Sequence, residues 1–170
     1  PLLAKEMLHK QGIHLVIEKH LPQTYLDGAT FLSPTGEPIV GLTLRYDRED
    51  YYWFTLLHEL AHLYLHLRSD PTAAFFDETH RYGDGAKNPQ EEDADQLTKD
   101  LLIPPQVWEE ESNTLLESTR KRNLVEFANR LRISPAIVAG RVRWETGDYS
   151  RFSSLVGNKS IREQFPEYSQ

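Results

Sequence analysis

The chain has 170 residues, 39% of them hydrophobic, with 26 acidic side chains against 19 basic ones and a formal net charge of −7. That length and apolar content suit one ordinary domain, or one domain with a small appendage, and the acidic balance argues against a general nucleic-acid or anionic-membrane binder. The lack of cysteine excludes disulfide frameworks, Cys-ligated zinc, iron–sulfur clusters and thiol nucleophiles, and it fits a reducing cytosol.

No signal-peptide pattern is visible in residues 1–19, where Glu6 and scattered histidines interrupt the apolar positions, and the start at Pro1 instead of Met points to a trimmed chain. Leu2, Leu3, Met7 and Leu8 recur at helical spacing and stop at Gly12, which predicts a short amphipathic helix. The period then changes. Ile13, Leu15 and Ile17 alternate with more polar neighbours, and residues 29–33 and 38–44 are β-prone runs separated by a Ser33-Pro34-Thr35-Gly36 turn signal, so about three strands are expected. Residues 51–67 read as a buried helix. Its apolar run is broken by His58, Glu59, His62 and His66, which a membrane span would tolerate only at high cost. Residues 68–89 show no periodicity and predict a long loop acting as a lid or substrate wall, with Phe75 and Phe76 as apolar contacts. Residues 91–102 are helical again and Pro104-Pro105 stops them. Two more helices are expected, over 123–131 and from the Ser134-Pro135 cap to about Glu145, with Gly147 past the end. No repeat or flexible linker divides the chain. The expected fold is α+β, a core over 1–118 with a helical extension over 119–170 packed on it.

His58-Glu59-Leu60-Ala61-His62 places two histidines four residues apart in a helical pattern. Residues at that spacing share one face, about 5 to 6 Å apart, so two imidazoles converge on one tetrahedral metal while Glu59 reaches its open position as general base for a bound water. Two satisfied core histidines and a surface Glu are the plainer alternative. Two imidazoles leave a catalytic zinc one protein ligand short, and Glu91-Glu92-Asp93-Ala94-Asp95 opens the next helix. Glu91 can bind metal while Asp95, one turn on, steadies a ligand histidine; Glu92 is the other candidate, and acidic residues also favour any helix N-terminus. His66 lies about 12 Å along the axis from His58, too far to share one ion, and reads as structural or exposed. His80, Tyr82, Tyr52 and Tyr64 are candidate donors to a developing oxyanion or to substrate.

The segments FTLLHELAHLYLHL and EEDADQLTKDLLIP together resemble the ImmA/IrrE family of zincin-like bacterial metallopeptidases, whose second motif reads Glu-x-x-Ala-Asn/Asp before Leu-Leu-x-Pro. Glu91, Ala94, Asp95, Leu101, Leu102 and Pro104 match it. The resemblance implies a zincin-like core, one zinc per chain at His58, His62 and Glu91, and Glu59 as base. Ala61 stands where Gly is frequent and Asp95 where Asn is frequent. Family members are often fused behind a helix-turn-helix domain or encoded beside a repressor, and the closest flavour is the C-terminal domain of such a fusion, as in HigA-like antitoxins. The implied partner is a protein or peptide substrate, a transcriptional repressor or toxin, in the cytoplasm, with no membrane role.

Residues 120–143 hold Arg120, Lys121, Arg122, Arg130, Arg132, Arg141 and Arg143 against Glu126 alone, a local charge of +6 that leaves −13 for the rest. Their LVEFANRLRISPAIVAGRVR stretch has a helix-turn-helix shape without the usual turn glycine. It could contact DNA, directly or through a fused domain, form a basic docking face, or be plain solvated helices. The leading expectation is a zinc metalloendopeptidase that cleaves or controls a protein regulator; the alternative is a non-catalytic regulatory or antitoxin module on the same fold.

Overall fold

The structure, a computed structural model, describes residues 1–20, 23–78 and 88–165. Among them six α-helices and four strands form a mixed α+β architecture: α1 Leu2–Lys10, β1 His14–Ile17, β2 Leu26–Leu32, β3 Pro38–Leu42, α2 Glu49–His62, β4 Ala74–Glu78, α3 Pro89–Leu102, α4 Pro105–Glu117, α5 Lys121–Leu131 and α6 Pro135–Thr146. The sheet runs β1-β3-β2-β4, with β1 parallel to β3 and β2 antiparallel to both its neighbours. The alternation expected of β1 is present, because Leu15 and Ile17 are buried while Val16 between them is exposed. At the β2–β3 turn Gly36 takes φ +87°, a left-handed conformation that glycine adopts without strain, and its N–H donates to the Ser33 carbonyl at 2.9 Å.

The sheet has one strand more than the three expected. Residues 74–78 fall inside the stretch that reads as a loop, yet they pair with β2, Ala29 opposite Phe76 and Thr30 opposite Phe75. Five residues are too few for a period to stand out, and their conformation is set by the open backbone edge of β2.

Tyr52 and Leu56 bury one side of α2 against Val40, Leu42 and Phe165, which fastens the helix to the sheet. Beyond His62 the same rod widens into a π-helical turn over Leu63–Leu67, a distortion common near functional sites. In α3, Asn88 Oδ1 accepts the Gln90 N–H at 3.1 Å and Pro89 opens the first turn. Ala94 and Thr98, one turn apart and fully buried, let α3 lie close against α2. A second core, with Ile103, Trp108, Leu115, Phe127, Val138 and Val142, joins α4, α5 and α6. Ser134 Oγ caps α6 by accepting the Ala136 N–H at 3.2 Å. α6 crosses α2 at Gly140, where a Cβ would stand 2.9 Å from Asp50 Cβ, so glycine is what permits the approach. Among the described residues no helix is long and apolar enough to cross a membrane.

Candidate metal centre

His58 and His62 sit one turn apart on α2, and their Nε2 atoms converge to 3.0 Å. Glu91, in the first turn of α3, brings Oε2 to 3.1 Å from His58 Nε2 and 3.2 Å from His62 Nε2. These three residues form a group that could hold a metal ion. A triangle of two nitrogens and one oxygen with these edges suits a single ion bonded at about 2.0 to 2.2 Å. Glu92, the other candidate, is exposed and stays outside the group.

The surroundings hold the donors in place. Asp95 Oδ1 lies 3.0 Å from His58 Nδ1, so the ring turns its other nitrogen toward the cluster. Phe75 of β4 stacks on the His62 ring, centroids 4.4 Å apart and planes 15° from parallel. His66 is buried and its Nε2 donates to the Gln90 carbonyl at 3.0 Å, which ties the end of the α2 rod to the turn bearing Glu91. It is structural, as its distance from His58 predicts.

Charge is concentrated here. Burial pushes the His58 imidazole down, but Asp95 and Glu91 outweigh it and raise the pKa to about 10. Burial lowers His62 against the pull of Glu91. For Glu91 the burial cost is overcome by the two histidines, which hold its carboxyl well below the usual range. Glu59 is fully buried, and burial raises it to about 8 despite the bond from Thr30. Between Glu91 and Asp95 the positively charged form of the His58 ring is favoured, as any cation at that point would be.

Residues 9–143 match the family model described as the IrrE N-terminal-like domain, a peptidase family. The chain belongs to this ImmA/IrrE family. No curated protein matches it. In this IrrE-like chain the matched segment begins just before β1 and runs into the last turns of α6, so it spans both metal-binding helices and the whole sheet. Membership makes a metallopeptidase the coarse functional class, and the His–His–Glu group is where such a domain would hold its ion.

Glu59 projects toward β2. Thr30 Oγ1 donates to its Oε2 at 2.6 Å, and its buried Oε1 has no partner among the described residues. The fit depends on Gly28, whose Cβ, if present, would stand 2.3 Å from that Oε1. Asp77, opposite Gly28 on β4, is a carboxyl that sequence reasoning missed; burial, with Asp27, Glu91 and Asp95 adding, raises it to about 6 against the opposing pull of His58. No local signal could have found it, because β4 itself is not legible without β2.

A cleft of about 1250 Å³ opens on the cluster, lined by α2, β4, α3 and α6. α6 is its unforeseen wall, through Ile137, Gly140, Arg141 and Trp144. The oxyanion candidates divide. Tyr52 is not at the site: it is 1% exposed in the sheet core, with its hydroxyl 3.5 Å from the Pro1 carbonyl. Tyr64 is exposed under the Arg68 guanidinium and does not line the cleft. His80 and Tyr82 lie outside the described residues. The basic group is no single surface either. Arg143 is buried, donating to the Tyr149 carbonyl at 2.5 Å with Asp50 Oδ2 3.7 Å away, because α6 turns it into the α2 interface. Arg141 pairs with Glu145, Arg130 with Glu111 and Arg122 with Glu126, while Arg120, Lys121 and Arg132 are exposed.

Proposed function

We propose that this chain is a zinc-dependent endopeptidase with a zincin-like core, cutting an exposed segment of a protein regulator of the repressor or toxin–antitoxin kind in the cytoplasm. The observation that carries the reading is the convergence of His58 Nε2, His62 Nε2 and Glu91 Oε2 to within 3.0–3.2 Å at the side of a cleft large enough for a peptide. Bound there, zinc supplies the positive charge that polarises water and a peptide carbonyl and favours the ionised form of nearby carboxyls. Glu59 takes up and returns a proton at Oε1 while Thr30 holds Oε2. Asp95 keeps His58 aimed. The cysteine-free composition supports the compartment.

His62→Ala should remove most of the metal from purified protein, and Glu59→Gln should retain it while abolishing cleavage of the regulator encoded beside its gene. Full metal occupancy in His62→Ala sinks the ligand assignment. A non-catalytic binding module is the second reading, favoured by one observation: the Glu59 carboxyl is turned toward Thr30 and fully buried. Equal regulation by wild type and Glu59→Gln would select it. The α5–α6 pair has helix-turn-helix shape, but its second helix gives one face to the cleft and another to α2, which supports protein contact over DNA.

A further inference from the structure

Three lysine or arginine side chains line the cleft among the described residues: Arg48, Lys99 and Arg141. Two are neutralised. Arg48 donates to both carboxylate oxygens of Asp50, at 2.9 and 2.6 Å, and Arg141 Nε reaches Glu145 at 2.8 Å while its guanidinium lies over Trp108. Lys99 has no carboxylate within ion-pair distance among the described residues, although it is half-buried. Its ammonium stands 3.4 Å from the centre of the Trp144 ring, reaching from α3 to the α6 wall. The ring face satisfies one side of the ammonium and leaves N–H donors directed elsewhere. Burial holds the group below its ordinary range, with Arg141 adding to this and the more distant charges of Asp95, Glu145 and Asp100 opposing without offsetting it, so a further negative charge in direct contact would be favourable.

Position gives this charge a meaning. Glu91, Asp95 and Lys99 follow one another at four-residue spacing on one face of α3, so Lys99 lies about 12 Å along the helix from the metal ligand. An extended peptide covers that span in about three to four residues. The metal end of the same cleft is lined by Asp77, Glu92, Asp93 and Asp95, which repel an acidic side chain. Around the ion position the lining is therefore acidic and at the α6 wall Lys99 is cationic, so a peptide with one acidic residue beyond those bonded at the metal has a preferred register. We propose that Lys99 is a specificity-determining residue that selects an aspartate or glutamate about three to four residues from the scissile bond. This deepens the peptidase reading and rests on it for what occupies the cleft.

The test uses the zinc-loaded full chain carrying Glu59→Gln, so that no peptide is consumed. Dye-labelled ten-residue alanine–leucine peptides with Glu at each position in turn, and Gln-containing partners, are titrated by fluorescence anisotropy. At one register the Glu peptide should bind at least tenfold tighter than its Gln partner, a difference of about 1.4 kcal/mol. Adding Lys99→Met, which keeps the apolar stem over Trp144, should bring the ratio near unity, while Lys99→Arg should preserve most of it. Zinc content and melting temperature report that both variants are folded. The Trp144 indole NMR signal, assigned through Trp144→Phe, should shift with the Glu peptide and not with the Gln peptide. No binding of the Glu peptides, equal binding of Glu and Gln at every position, or a preference that survives Lys99→Met overturns the proposal. Failure of the peptidase reading looks different: the zinc-loaded chain with Glu59 restored would leave the preferred peptide uncut although the Lys99-dependent preference persists.

Discussion

Replacing Gly28 by alanine probes how Glu59 is seated. The new Cβ would stand 2.3 Å from Glu59 Oε1, more than 1 Å inside the roughly 3.5 Å at which such atoms rest, and 2.8 Å from both Cδ and Cγ, also well inside it. The carboxyl cannot easily retreat, because it is fully buried and held by Thr30 at 2.6 Å. Overpacking of this kind costs about 1 to 3 kcal/mol, and losing the Thr30 bond adds about 1. Against this, alanine restricts the unfolded chain and returns about 0.5 to 1 kcal/mol. The net loss of about 1 to 3 kcal/mol should lower the melting temperature by roughly 3 to 10 °C for a chain of this size. The donor triangle is not touched, so metal affinity by chelator competition should stay within about threefold, while catalysis should fall about a hundredfold or more as the base leaves its seat. Gly41→Ala is the control. Its Cβ would meet only the Ala29 carbonyl oxygen at 3.9 Å, an ordinary contact, and it should melt at or above wild type. If Gly28→Ala melts with Gly41→Ala, Glu59 does not occupy the space against β2 and the seating argument is wrong.

Asp95→Ala should weaken metal binding about 10- to 100-fold, measured by chelator competition, because the His58 ring loses the carboxylate that aims it. Phe75→Ala should cost about 3 to 5 kcal/mol in urea unfolding and also weaken metal binding, since His62 loses its stacking wall. The metal-free chain should lose stability between pH 7 and 9, by up to about 1.4 kcal/mol per pH unit for each group. The sign follows from two raised values: His58, folded about 10 against 6.5 unfolded, contributes stability that fades between pH 6.5 and 10, and Glu59, folded about 8 against 4.5, adds a penalty that builds between pH 4.5 and 8 and is constant above it, so beyond pH 8 the slope is that of His58 alone. Metal binding at pH 7 should release at least about one proton, read by calorimetry in buffers of different ionisation enthalpy; a flat pH profile for the metal-free chain and no proton release would refute the protonated His58.

Local spacing by itself brought out the candidate metal donors of this protein. His58 and His62 on one helix and Glu91 and Asp95 on the next are each four residues apart, so the helical period alone puts each pair on one face. The Ser134-Pro135 start was equally legible, because a cap is satisfied by its own backbone neighbours, whereas the helix expected from Glu91 begins at Pro89, inside the stretch that reads as a loop. Tertiary structure decided what depends on partners far along the chain. Residues 74–78 become a strand only because β2 offers an edge, and that pairing brings Phe75 to His62 and Asp77 to the cleft. Tyr52 lies on the same helix as the ligands, but packing against the sheet turns its hydroxyl away. Arg143 reads as one more surface cation until α6 crosses α2 at Gly140 and buries it beside Asp50. Periodicity states which residues share a face; only long-range packing decides what that face meets.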